Sequence, residues 1–232
     1  MKRTSAKRIT IGAGLGVLVL IASLWLLTRT LGNYDDPLYA GKPLDYWLTR
    51  LRSGDTAASN EAVSVVASRI IPQLTSTILQ DTNDSSLRLF LIDALNGLPG
   101  VWINFSPASA RRTGAASSIG QLGPAAKPAV PALIQALQGD DPSIHKAAIS
   151  ALGKIQSDPD VVIPLLIRCL DDPSVNDEAA TALANYGPLA RAAVPKLIPL
   201  LQAPDDDARL AARKALLKID LEAAAKAGVQ TN

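Results

Sequence analysis

Apolar residues recur at i, i+3, i+4 and i+7 through much of this 232-residue chain, the spacing that gives a helix one dry face. Ala148, Ala151, Leu152 and Ile155 form one such set, and Leu44, Trp47, Leu48 and Leu51 another. The first set belongs to a series. AASSIGQLG (from Ala115), AISALGKIQ (from Ala148), AATALANYG (from Ala179) and ARKALLKID (from Ala212) follow one another at spacings of 33, 31 and 33 residues. Between them stand AVPALIQALQ, VVIPLLIRCL and AVPKLIPLLQ, whose Pro131, Pro164 and Pro195 keep spacings of 33 and 31. GPAAKPAVPALIQALQ, from Gly123, returns 64 residues later as GPLARAAVPKLIPLLQ, with ten of sixteen positions identical. Independent markers sharing one period define an internal repeat.

Each unit predicts two helices. The first stops at Gly123-Pro124 or Gly187-Pro188, where the glycine takes a conformation other residues avoid and the proline cannot continue the helix. The second opens near Pro131, Pro164 or Pro195, because a first helical turn has no use for the N–H that proline lacks. Polar turns close the units (GDDPS at Gly139, DDPS at Asp171, APDDD at Ala203), and their aspartates are placed to cap the next helix. One hairpin cannot bury its apolar face alone, so the hairpins stack into a continuous core. The residues expected inside are Leu122, Ala151, Leu152, Ile155, Leu183 and Leu216, with Val130, Leu133, Ile134, Leu165 and Ile198 from the second helices. Pro199 falls within the last second helix and should bend or shorten it.

Upstream the period is looser. Pro43 suits the start of the helix carrying Leu44 to Leu51, a second helix is expected over 57–69, and IIPQLTSTILQ from Ile70 echoes the second helices. Asp84 is placed to cap a helix from Ser85 to Leu95, VWINF (101–105) reads as an extended connector, and Ser106-Pro107 starts the helix that leads into Ala115.

A-x-x-A-L-G-x-I (Ala148 to Ile155), V-P-x-L-I (Val130 to Ile134, Val194 to Ile198) and D-D-P-S between units resemble HEAT repeats, including the HEAT-like class of phycobilin lyases. The likeness covers 115–220. It implies an all-α fold, a right-handed α-α superhelix of the HEAT/armadillo-like solenoid kind. Y-x-G-K-P-L-x-Y-W-L (Tyr39 to Leu48), placed between an apolar segment and the repeats, is similar to a layout of bacterial HEAT-repeat proteins.

That apolar segment, ITIGAGLGVLVLIASLWLLT (9–28), holds no charge. Twenty residues at about 1.5 Å each span about 30 Å, the thickness of a bilayer's hydrocarbon core. MKRTSAKR before it carries four positive charges, which predicts a cytoplasmic tail (1–8), a single transmembrane signal anchor (9–28), a linker (29–42), divergent helical repeats (43–114) and regular repeats (115–232) on the extracytoplasmic, periplasmic side. The alternative is a cleaved signal peptide, cut after Thr30-Leu31-Gly32, which would leave a secreted or periplasmic chain.

Charge sharpens this picture. The net charge is +2, but Lys2, Arg3, Lys7, Arg8 and Arg29 stand in the first 32 residues, where there are no acids. Removing those five from 23 basic residues leaves 18 against 21 acidic, so the repeats are weakly acidic and lack the footprint of a nucleic-acid binder. Chemistry is sparse. With one cysteine (Cys169) and one histidine (His145), neither a disulfide nor a four-ligand zinc site can be assembled. Cys169 sits in an apolar run and reads as a buried small hydrophobe, His145 as a residue of an exposed helix start. Iron-dependent hydroxylases on similar repeats need several His-Glu pairs, and a nucleophile–base triad would have to use that same histidine. No G-x-x-x-x-G-K-[ST] loop is present, and the recurring aspartate pairs are explained by capping.

The expected function is therefore a non-enzymatic protein–protein interaction scaffold with an unknown protein partner, without cofactor, metal or nucleic acid, held to the lipid bilayer through 9–28. Solvent-facing positions on second helices, Gln135, Arg168 and Lys196, are the candidates for partner contact. Two alternatives of other classes stand beside it. One is a HEAT-like enzyme, bilin lyase-like or DNA-glycosylase-like, whose basic groove would draw on Lys127, Arg168, Arg191 and Lys196 with Tyr186 as its aromatic. The other is a cell-envelope structural protein without a dedicated partner.

Overall fold

The computed structural model describes residues 38–230 apart from 54, 82–83, 85–89, 91, 95–105 and 140. Contacts divide the chain into two compact units, Leu38–Thr82 with Ala108–Asn232, and Met1–Pro37 with Asn83–Pro107. The segment expected to span a membrane (9–28) and the VWINF connector lie outside the described residues, as does most of the helix expected over Ser85 to Leu95, of which Phe90 and Ile92 to Ala94 are helical. The larger unit is all-helical among its described residues. Its one β-type contact is an isolated bridge, Tyr39 to Lys42.

That bridge opens the array. Ala40 and Gly41 turn the chain through positive φ (51° and 76°), and Trp47 Nε1 donates to the Tyr39 carbonyl at 2.7 Å. The turn is thereby clasped to helix α1 (Leu44–Leu51), which buries Trp47 and Leu48 as its spacing predicts.

Helix α2 runs unbroken from Thr56 to Gln80. Two helices were expected, over 57–69 and from Ile70. They are joined by a π turn at Val66–Ile70, which passes straight into the segment carrying Pro72. The reason is local: this unit has no Gly-Pro pair to stop the first helix. Asp55 caps α2 by accepting from the backbone N–H of Ala57 and Ala58. The helix is apolar and long enough to cross a membrane, yet Ala62, Val66, Ile70 and Ile78 are sealed in the core of the array.

The regular part follows as α3 (Ala108–Gln121), α4 (Val130–Ala136), α5 (Pro142–Ile155), α6 (Pro159–Cys169), α7 (Asn176–Tyr186), α8 (Val194–Leu200), α9 (Asp206–Ile219) and the short α10 (Leu221–Lys226). α3, α5, α7 and α9 are the first helices of successive hairpins. As expected, α3 and α7 end on Gly123 and Gly187, both at positive φ (58° and 56°), and 3₁₀ turns lead from there into α4 and α8. The middle hairpin departs from that plan. Its second helix begins at Pro159, not near Pro164, because Gln156 and Asp158 themselves take left-handed conformations and close the joint in three residues. Pro164 is left inside α6, on its exposed side, where water can satisfy the carbonyl that lacks an N–H partner. Pro199 does not shorten α8, which has the same seven residues as its counterpart α4.

Capping follows the aspartates in part. Asp141 accepts from the N–H and hydroxyl of Ser143 at the start of α5, and Asp205 from the N–H of Ala208 in α9. Asp172 instead closes a turn on Ser174 and does not cap α7, which starts only at Asn176. Asp177 and Glu178 supply negative charge to the first turn of α7 in its place.

First helices pack backbone to backbone. A Cβ on Gly153 of α5 would stand 2.7 Å from the Ala182 Cα of α7, and one on Gly120 of α3 would stand 3.0 Å from the Ala151 Cα of α5. The equivalent position is Ala184 in α7 and Leu217 in α9. Leu122, Val130, Leu133, Ala151, Leu152, Ile155, Leu183 and Leu216 are buried as expected. Among the second helices the expected register fails at three places. Leu197 is buried while Ile198 is 41% exposed, Leu166 is buried in place of Leu165, and Ile134 is only partly covered. At these places the neighbour one residue away, about 100° around the helix, takes the inward position.

Candidate functional site

Hydrogen bonds and ion pairs stitch neighbouring hairpins together. Arg111 grips Asp81 through two bonds of 2.5 and 2.6 Å, while Arg112 donates to the Ile78 carbonyl and meets Asp141 at 3.2 Å. Lys127 pairs with Asp158 at 3.1 Å, Arg191 with Asp220 at 2.9 Å, and Gln156 donates to the Asn185 carbonyl. Lys146 of α5 reaches both Asp177 (3.5 Å) and Glu178 (3.6 Å) of α7. Tyr186 is buried, its hydroxyl donating across the hairpin joint towards the carbonyls of Ser157 (3.0 Å) and Leu152 (3.3 Å). Burial, then the charge of Asp158, push its phenol up to about 12.

The phenol yields a pH prediction. Its folded value lies above the ordinary 10, so its contribution to stability is whole below pH 10 and lost between pH 10 and 12 as the unfolded chain ionises first. Tyr186→Phe should lose about 1 kcal/mol at neutral pH. It should also flatten the alkaline fall, read as denaturation midpoints from pH 9 to pH 12.

Polar side chains elsewhere on the first helices, such as Ser117, Ser118, Arg213 and Lys218, have no such partner among the described residues. Another group of them lines a cleft of about 290 Å³ that lies over α7, walled by α5 and α9. Thr181 and Asn185 of α7 form its floor, Ser150 and Lys154 of α5 one wall, and Lys214 of α9 the other. Among the described residues none of these five side chains has a hydrogen-bond or ion-pair partner. The repeat places them in register: Ser150, Thr181 and Lys214 are equivalent positions, 31 and 33 apart, and Lys154 and Asn185 another pair, 31 apart.

At the other end of the cleft, near the starts of α7 and α9, stand Asp177, Glu178 and Asp207. Burial raises Asp177, but its hydrogen bonds with Glu178 and the charge of Lys146 outweigh that and hold its carboxyl below the usual range. Glu178 is pushed up by burial first, then by hydrogen bonding with Asp177 and by that neighbour's charge, and its Oε2 is shielded from water without a hydrogen bond. Burial opposes the charge on Lys146, yet the two carboxylates outweigh it and raise the ammonium above its ordinary value.

The residues nominated from sequence lie elsewhere. Gln135 (α4) and Arg168 (α6) are exposed, Lys196 (α8) is half-buried and paired with Asp171, and none of the three lines the cleft. The basic set considered for a glycosylase-like groove is dispersed in the same way, with Lys127, Arg191 and Lys196 in ion pairs and Tyr186 buried. Cys169 is partly, not fully, buried, and burial followed by the charge of Asp172 raises its thiol. The His145 ring bonds the Gly139 carbonyl at 2.7 Å. No three His, Cys, Asp or Glu side chains come together as a metal site among the described residues.

Comparison with known proteins agrees with the architecture. No curated protein matches the sequence. The complex of CpcE and CpcF of phycocyanin lyase from Nostoc sp. PCC7120 is similar in structure, at 20% identity and a TM-score of 0.51, over 82% of this chain and 68% of that one. An engineered protein is similar at 23% identity and a TM-score of 0.41, over 80% and 85% of the two chains. A family model described as HEAT repeats matches residues 103–184, within an array that is all-helical among its described residues.

Proposed function

We propose that this protein is a non-enzymatic protein-interaction scaffold, its HEAT-repeat array held to a membrane by residues 9–28 and displayed on the extracytoplasmic side. The observation that carries the reading is the stack of HEAT-type hairpins itself, with an open cleft over α7 lined by polar side chains from three successive hairpins. A thiol raised by burial is the opposite of an activated thiolate, and neither Cys169 nor His145 lines the cleft.

Affinity capture of the full chain from detergent-solubilised membranes tests this. A reproducible protein partner, absent for a variant lacking residues 9–28 expressed in the cytoplasm, is the expected result. Turnover of a bilin or of damaged DNA by the purified protein would replace the scaffold reading with an enzymatic one. Recovery of nothing reproducible would favour a structural role.

A further inference from the structure

We propose that the joint between α5 and α7 is a proton-binding device: Asp177 and Glu178, set side by side against the single ammonium of Lys146, take up one proton in mildly acid solution and so reset the charge of the cleft. The geometry is that of an incomplete ion pair. The two carboxylates occupy consecutive positions in the first turn of α7, and Lys146 stands 3.5 Å from Asp177 and 3.6 Å from Glu178. Both distances are long beside the usual charge-assisted bond of about 2.7–2.9 Å. The other two glutamates of the chain, Glu61 and Glu222, each meet a cation of their own at 2.7 Å. Glu178 Oε2 is shielded from water without a hydrogen bond, and so is the amide oxygen of Asn176 in the same turn. Two shielded acceptors in one helical turn, with no donor on either, mark a place short of protons.

Two carboxylates against one ammonium leave one negative charge in excess, which a single proton from solvent removes. That proton sits on Glu178 and is donated towards Asp177, which the N-terminus of α7 and Lys146 keep ionised. Across the cleft α9 presents Asp207 and Lys214, α5 adds Lys154, and α6, which also packs on α7, contributes nothing to the lining. With Glu178 charged, the lining sets three carboxylates against two lysines; with Glu178 neutral, it sets two against two. Acidification therefore removes the excess negative charge of the cleft, whatever the cleft receives, and this holds independently of the scaffold reading.

Stability should follow the same proton. Burial, then the hydrogen bond and charge of Asp177, place Glu178 above the ordinary 4.5, so the folded chain binds the proton more readily than the unfolded one and gains stability from it as the pH falls from 7 towards 4.5. Asp177, held below the ordinary 3.8, contributes stability that is lost only as the pH falls further, through its folded value.

The test uses full-length protein in detergent micelles, labelled with ¹³C at the glutamate carboxyls, which gives three resonances to follow against pH by NMR. The resonance that vanishes in Glu178→Gln should titrate with a midpoint above 4.5. Lys146→Met should raise that midpoint and Asp177→Asn should lower it. In urea denaturation Glu178→Gln should be at least as stable as wild type at pH 7, with the difference shifting in favour of wild type at pH 5. If Glu178→Gln fails to fold, Glu61→Gln and Glu222→Gln assign the signal by elimination. A Glu178 midpoint at or below 4.5, a midpoint that neither partner substitution moves, or a stability difference equal at pH 7 and pH 5 would each overturn the inference.

Discussion

Leu152→Asp should unfold the middle of the array, at a cost of more than about 4 kcal/mol. Leu152 is fully buried in α5, and its backbone carbonyl also receives the Tyr186 hydroxyl from the next hairpin. A carboxylate there, within the buried hydrophobic cluster, must either stay charged in an apolar core or take up a proton. Domains are stable by only about 5–15 kcal/mol, so one such change removes much of the margin. In a stacked array each hairpin depends on its neighbours, so the loss should spread into α3 and α7 rather than stay in α5. Urea denaturation followed by circular dichroism measures it. The expected curve has a lower midpoint and a shallower slope, and a curve coincident with wild type would show that this face of α5 points to water.

Gly153→Ala and Gly114→Ala should move stability in opposite directions. Both glycines lie inside first helices, where alanine is the better helix former by about 1 kcal/mol. At Gly114 an added Cβ meets nothing within 4 Å, so the change should stabilise by up to that amount. At Gly153 the same methyl meets the Ala182 Cα and Cβ at 2.7 Å. Backbone cannot swing aside as a long side chain can, so α5 and α7 must separate. Overpacking of this kind costs about 1–3 kcal/mol and should exceed the gain in propensity. Thermal melts of the two variants beside wild type decide it. Equal stabilisation by both substitutions would mean that the first helices are not in backbone contact.

Much of the architecture was legible in the residues because periodicity is a local property. The face Ala148, Ala151, Leu152 and Ile155, the stops at Gly123 and Gly187, and the caps at Asp141 and Asp205 all stand where the repeat placed them. The departures come from competition between signals. Pro164 looked like a helix start by analogy with Pro131 and Pro195, but Pro159 lay one turn earlier and suited a first turn equally well. The helix expected to stop before Ile70 had no glycine to stop it, and a π turn carried it through.

The cleft was harder to read. Whether a polar side chain is engaged depends on what the adjacent repeat sets opposite it, which spacing alone does not reveal. Lys196 pairs with Asp171, whereas Lys154 has no partner among the described residues. A signal was nevertheless present. The small polar residues Ser150 and Thr181 are followed in register by Lys214, and Lys154 by Asn185, so the polar side of the first helices changes character along the array. Gln135 and Arg168 lie on second helices, outside the cleft.

Photo-crosslinking in native membranes tests the scaffold most directly, with a photoreactive residue at Thr181 on the cleft floor and, in separate proteins, at Gln135 and Arg168. The account predicts a discrete protein adduct from position 181 and little from positions 135 and 168. No protein adduct from position 181, with a strong one from position 135 or 168, would contradict it and return the binding surface to the second helices.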